Sequence, residues 1–373
     1  MTRELPAITS LRGIAALGIL IHHITIYLFP EIGKYTGQFT PFFQQNYLWV
    51  DFFFILSGFI AGHVYQNRFS RKITGAQFIS FIVSRFTRLY PLHFVILAGF
   101  VIMELTYLYF YSHIPLHAPF TNLPIPFDSE YSLKALLLNV LFLQALPQWG
   151  TWNGPSWAIS AIWLIAFTIP FSIQFIRQST KVTDILLFSL CLFALVIIYG
   201  QQGTLDIISL SGLVRCFSET LMGIIAYKVF SHAYTKRFLD YRAGCPIIFL
   251  CALLSMALPI HPVITVLSFL LLILTAAFVK SDIIFTNPTL LLLGKISFSL
   301  YMIHWFLFQL LDKVSLVNTG VAFHRHCSLL QLTGLALLTF FLVPPVSYFA
   351  YKFIEIPLHN RLNTFTRSLL SRP

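Results

Sequence analysis

The 373-residue chain is 57% hydrophobic and only 10% charged, whereas soluble domains carry about 25% charged residues. That excludes an ordinary soluble domain and points to a polytopic membrane protein. The formal net charge of +11 implies no nucleic acid, because the basic residues sit mostly in alternate loops, as the positive-inside rule requires.

Apolar runs of membrane length predict ten crossings. The first helix is expected over Leu11–Phe29 and the second over Tyr47–Tyr65. The first has two histidines and no small-residue cleavage site, so it reads as a retained span rather than a leader. Arg68, Arg71, Lys72, Arg85 and Arg88 follow the second helix and place that loop in the cytoplasm. The third helix is expected over Leu89–Tyr111, with Pro91 in its first turn. The segment Ser112–Ser132 holds Pro115, Pro119, Pro124 and Pro126 but no Lys or Arg, and reads as an outside loop. Leu133–Leu146 is apolar but short, and is expected to be interfacial or re-entrant.

Helices four to six are expected over Ser156–Ile176, Ile185–Tyr199 and Ile207–Phe230. A basic loop with Lys236, Arg237 and Arg242 follows. Helices seven and eight, Pro246–Leu258 and Val263–Val279, turn at Pro259 to Pro262. Helix nine is expected over Leu290–Leu311 and helix ten over Leu329–Phe353, before a tail with Arg361, Arg367 and Arg372. The fold expected is therefore all-α and polytopic, one domain with both termini cytoplasmic. Lys313 and Arg325 run against this topology, since they fall where an outside loop is expected. The five cysteines, Cys191, Cys216, Cys245, Cys251 and Cys327, match no disulfide, zinc or redox spacing.

Polar residues inside such runs are costly, roughly 2.5–3.5 kcal/mol for a charge on insertion scales, and so mark sites. Depth follows from a rise of about 1.5 Å per residue. Arg12, Arg85 and Arg88 form an inner group suited to phosphate, which guanidinium grips bidentately. Arginines at a cytoplasmic face also anchor helices, and spacing alone fits either reading. His23, Asp51, Ser57, Trp157, Ser160, Tyr301 and His304 form an outer group suited to acid–base work on a hydroxyl. A membrane histidine also serves as an interhelical hydrogen-bonding group. His22 and His23 point about 100° apart on a helix, so at most one faces a given site. Arg12 and His23 lie eleven positions apart, about 16 Å along the helix, a gap that a long anionic cosubstrate would span. Arg215 and Glu219 can neutralise each other at i,i+4, and Glu355 can pair with an inner arginine. Glu104 is another buried acid; His324 and His326 read as solvated.

Together these residues resemble the acyltransferase-3 family of integral membrane acyltransferases, which O-acetylate surface polysaccharides. Leu11-Arg-Gly-Ile-Ala-Ala16 with His23, Val50-Asp-Phe-Phe-Phe-Ile-Leu-Ser-Gly-Phe59 and Arg85-Phe-Thr-Arg88-Leu-Tyr-Pro91 are similar to its motifs, in order. So are Gly294-Lys-Ile-Ser-Phe-Ser-Leu-Tyr-Met-Ile-His304 and Phe353-Ile-Glu-Ile-Pro357. Arg215 with Gly223 fits a weaker one. Ser156-Trp-Ala-Ile-Ser-Ala161 resembles a Ser-Trp-Ser-Leu-Ser motif that a glutamate usually follows, where Ile162 and Trp163 stand here.

The resemblance implies acetyl-CoA as cosubstrate with no tightly bound cofactor, a glycan or lipid-linked glycan as acceptor, and a bacterial inner membrane location. Arg12, Arg85 and Arg88 would bind the donor. His23 would be general base or acetyl carrier, Asp51 would orient it, and Tyr301, Ser57 or Ser160 would steady the oxyanion. Trp157 and His304 complete the expected acceptor side. Little chain follows Pro357, so no appended soluble domain is expected. A transporter or flippase of a lipid-linked sugar is the rival reading, since buried charges and a basic inner face suit it too.

Overall fold

The computed structural model describes residues 4–70, 72–113, 123–146, 150–232, 244–279, 283–322, 325 and 327–370. Arg71, Pro115, Pro119, Lys236, Arg237, Arg242, His324, His326 and Arg372 lie outside them. The described residues form helices and turns without a strand. In chain order the helices are α1 (Pro6–His23), α2 (Pro30–Thr36), α3 (Phe42–Gln45), α4 (Trp49–Tyr65), α5 (Gly75–Tyr111), α6 (Leu133–Val140), α7 (Ser156–Ala166) and α8 (Ile169–Gln178). There follow α9 (Lys181–Gln202), α10 (Leu210–Ser231), α11 (Gly244–Ala257), α12 (Pro262–Ala276), α13 (Pro288–Thr319), α14 (Leu329–Ala350) and α15 (Ile356–Leu370).

Among the described residues, six helical stretches are long and apolar enough to cross a membrane, and a seventh if α7 and α8, bent by 57° at their junction, make one broken span. The chain is an all-α polytopic membrane protein. The expected count of ten is met only in helix order. Helices α11 and α12 have 14 and 15 residues, about 21–23 Å, short of a hydrocarbon core near 30 Å. Helix α10 carries Arg215, Glu219 and Lys228, and most of it is buried against other helices rather than facing lipid.

Three boundaries depart from expectation. Helix α5 begins at Gly75, fourteen residues before the expected start, because Thr74 and Gln77 make a reciprocal capping box. Arg85 and Arg88 are therefore inside a 37-residue helix about 55 Å long, and Pro91 is an interior proline, not a first-turn one. Helix α13 runs to Thr319, so Lys313 is not a loop charge. Its ammonium is 2.9 Å from Glu104 and 3.7 Å from the Tyr107 ring centroid, which accounts for both of these buried charges. The segment 133–146 forms only an eight-residue helix, about 12 Å long, and cannot span.

Two close helix contacts place the site. Helix α1 packs along α13: a Cβ on Gly294 would strike the Thr9 carbonyl, and one on Gly13 would strike the backbone at Leu293 and Gly294. Helix α4 packs along α10, where a Cβ on Gly58 or Gly223 would strike the facing carbonyl of Thr220 or Ile55. Small residues at such crossings let backbones approach, the usual route to tight packing in membranes. The first contact carries His23 alongside His304, and the second carries Asp51 alongside Arg215.

Candidate active site

Helices α1, α4, α5, α7 and α13 enclose a cavity of about 450 Å³, lined by Arg12, Arg85, Arg88, Ser57, Ser297 and Tyr301 among largely apolar neighbours. The three expected arginines thus line one cavity. Arg12 donates to Ser297 Oγ at 3.2 Å. Arg88 pairs with the buried Glu355 at 2.8 Å, the partner expected for that carboxylate. Arg85 stacks over the Phe81 ring at 5.2 Å, and its buried Nε has no hydrogen-bond partner among the described residues. A buried, unspent donor is costly unless something accepts from it. A largely apolar cavity lined by three cations suits an amphiphile with an anionic head. His63 also lines this cavity; it was missed because a lone histidine late in a span carries no pattern.

His23 lies at the end of α1, where the helix relaxes into a π turn over Ile24–Leu28. Such turns often occur at functional positions. The imidazole is half-buried and turned toward α13. His23 Nδ1 is 2.9 Å from His304 Nε2, and the rings stack at 4.9 Å. His304 Nδ1 in turn lies 3.0 Å from the Leu300 carbonyl. A carbonyl only accepts, so His304 carries its proton on Nδ1. Its Nε2 is then a lone pair, which must accept from His23 Nδ1–H. His23 Nε2 is left with a free lone pair. The rings of Tyr27 and Trp305 flank His23 at 5.5 and 5.4 Å. Neither residue stood out in the sequence. His22 packs edge-on against His23 with ring centroids 5.4 Å apart, but its own polar partners differ: it lies 3.2 Å from the Phe43 carbonyl and 4.0 Å from Asp206.

The cavity does not reach His23 directly. Tyr301 lines it, one turn or about 4.5 Å before His304 on the same helix.

Five expected roles are corrected, that of Tyr301 at an oxyanion among them. Asp51 does not orient His23: both its oxygens are taken by Arg215, at 2.7 and 2.6 Å. Arg215 also donates to the Leu205 carbonyl, and Glu219 lies further off at 3.7 Å, so Asp51 is the main counter-ion. Ser160 is fully buried, donating to the Phe142 carbonyl at 2.9 Å and accepting from Ala145 N–H at 3.2 Å. Its hydroxyl ties the 142–145 segment to α7 and has no proton left for an oxyanion. Trp157 is buried against Phe54, with ring centroids 6.0 Å apart, and is absent from the cavity lining. His304 bonds the catalytic candidate rather than facing an acceptor. Tyr301 does line the cavity, but its hydroxyl donates to the Pro155 carbonyl at 2.5 Å. Ser57 lines the cavity as well. Ile162, where a glutamate was noted as usual, adds apolar wall.

The multi-helix membrane fold holds an arginine-lined cavity and, one turn along α13 from it, a hydrogen-bonded histidine pair; its class is that of an integral membrane acyltransferase. The chain belongs to the acyltransferase-3 family: the family described as "Acyltransferase domain" matches residues 5–352. It is similar to "Protein 2 in picA locus" of Rhizobium radiobacter, with 30% identity over 173 residues, 46% of this chain and 81% of that protein. No solved structure matches it.

Proposed function

We propose that this acyltransferase moves an acetyl group from cytoplasmic acetyl-CoA to a hydroxyl of a cell-surface glycan, free or lipid-linked, at a bacterial inner membrane. One observation carries the reading: His23 Nε2 is left as a lone pair by a partner that itself is fixed by a carbonyl, and that partner, His304, stands one helical turn beyond Tyr301 of the arginine-lined cavity.

The donor's phosphates would sit against Arg85 and Arg12, with Arg85 Nε supplying an unspent N–H. Its pantetheine arm would follow the apolar wall toward Tyr301. The thioester must then pass the turn of α13 from Tyr301 to His304, so the Tyr301 ring is expected to shift. His23 Nε2 takes the proton of the acceptor hydroxyl as its oxygen attacks the thioester carbon. The C–S bond breaks, and the CoA sulfur leaves with the electron pair and is protonated by the imidazolium. Alternatively Nε2 attacks first and passes the acetyl group on. In both routes His304 holds the imidazole in its productive tautomer, and it accepts the Nδ1–H bond that strengthens as charge develops.

A flippase has no use for this tautomeric relay, and membership of an acyltransferase family weighs against it. Mass spectrometry of surface glycans from cells with and without the chain tests the proposal. Loss of O-acetyl groups without loss of glycan export is the expected result; loss of export with acetylation intact on the retained glycan would favour the flippase.

A further inference from the structure

Near Lys181, helices α9, α10 and α12 do not close on one another, and a groove of about 480 Å³ lies between them. Most of its lining is apolar, with Phe188, Ile225, Leu270 and Leu274 drawn from all three helices. Four polar residues complete it: Lys181, Asp184, Lys228 and His232. They gather at one end. Lys181 and Asp184 stand in the first turn of α9, Lys228 in the last turn of α10 and His232 just past it. Phe188 is seven residues further along α9 than Lys181, about 10.5 Å deeper. The groove therefore has a polar mouth and an apolar channel behind it.

The mouth is anchored by one ion pair. Lys228 Nζ is 2.6 Å from Asp184 and donates to the Ile176 and Ser179 carbonyls at 2.8 and 2.9 Å. The Ser179 hydroxyl donates to the second oxygen of Asp184. Those bonds spend the ammonium and the carboxylate together, and they tie residues 176–184 to α10. His232 gives its Nδ1–H to the Lys228 carbonyl at 2.6 Å, which leaves Nε2 able to accept from a ligand hydroxyl. Lys181 is exposed and has no hydrogen bond or ion pair among the described residues. The mouth thus keeps one positive charge that no carboxylate cancels.

Two observations identify what fills the groove. Helix α9 is apolar and of membrane length, yet it buries only Cys191, Leu195 and Ile198. Its flank therefore opens the groove to hydrocarbon, not to water. Arg177 and Lys181 precede or begin α9, and Lys236 and Arg237 follow α10 in the sequence, which assigns the mouth to the cytoplasmic face. Basic pockets between membrane helices on that face take anionic lipid head groups.

We propose that this groove binds an anionic phospholipid, with an acyl chain between α9 and α12 and the phosphate on Lys181. The groove shares no residue with the arginine-lined cavity, so the proposal stands or falls apart from the acyl-transfer reading.

The test is native mass spectrometry of the full chain, delipidated in a neutral detergent. The probes are phosphatidylglycerol and phosphatidylcholine with the same acyl chains, and glycerol phosphate as the free head group. Phosphatidylglycerol is expected to bind about fivefold more tightly than phosphatidylcholine, and glycerol phosphate is expected not to displace it. Lys181→Gln, at an exposed position that leaves the fold alone, should remove that preference and leave phosphatidylcholine binding as it was. Lys34→Gln takes the same charge from an exposed position on α2 and should change neither affinity. Phosphatidylglycerol with a diazirine in its acyl chain should label residues 185–188, 225–229 or 270–274. Equal binding of the two lipids, an unchanged preference in Lys181→Gln, an equal loss in Lys34→Gln, or label confined to other residues overturns the proposal. Displacement by glycerol phosphate overturns it as well, since the site would then hold a free phosphate and no lipid.

Discussion

His304 Nε2 faces His23 Nδ1 at 2.9 Å, and the Leu300 carbonyl behind it decides which nitrogen of each ring holds a proton. The pair is a relay in which one imidazole orients the other. His304→Ala should therefore lower kcat by about 10²–10⁴-fold, the range for a general base, and leave the KM for acetyl-CoA nearly unchanged. His304→Gln, whose side-chain oxygen can accept from His23 Nδ1–H, should recover part of the loss. Steady-state transfer assays on both variants check this; equal kcat in wild type and His304→Ala would remove the relay.

Arg85 is the cleanest probe of donor binding, because its Nε is unspent and its cation rests on rings rather than on an acid. Arg85→Ala should raise the KM for acetyl-CoA with little change in that for the acceptor. Competition by desulfo-CoA and by adenosine bisphosphate, measured in both proteins, locates the loss on the nucleotide end.

Arg88 behaves differently. Removing it strands Glu355, which is buried and otherwise bonded only by Ser299 among the described contacts. Arg88→Ala should thus lose both donor affinity and thermal stability, while Arg88→Ala with Glu355→Gln regains stability but not affinity. A melting curve in detergent beside a binding isotherm separates the two effects.

Asp51 is expected to matter for folding. Its carboxylate and Arg215 are both almost wholly buried, and breaking such a pair costs about 3–5 kcal/mol. Asp51→Ala should lower the melting temperature of the purified protein sharply, yet transfer per folded molecule should hold. A folded, inactive Asp51→Ala would return it to the catalytic machinery.

The sequence carried the helix order and the grouping of arginines because both depend on local periodicity and on rise per residue. Arg12, Arg85 and Arg88 meet on one cavity as depth alone suggested. Pairing between elements was not legible in that way. Depth put Asp51 in the outer group with His23, but which helix it faces depends on rotation, and the Gly58–Gly223 contact turns it to Arg215. Ser160 was misread for the same reason. The i,i+4 spacing of Arg215 and Glu219 was visible, but the stronger partner came from another helix. Pro91 suggested a helix start, yet the Thr74–Gln77 capping box upstream prevailed and set the true start of α5.

The most direct measurement of the central claim places radiolabelled acetyl-CoA on one face of sealed proteoliposomes and glycan acceptor on the other. Acid-stable label should reach the acceptor with the wild-type chain and fall to background with His23→Ala, although that variant still binds acetyl-CoA. Transfer by His23→Ala at the wild-type rate would contradict it.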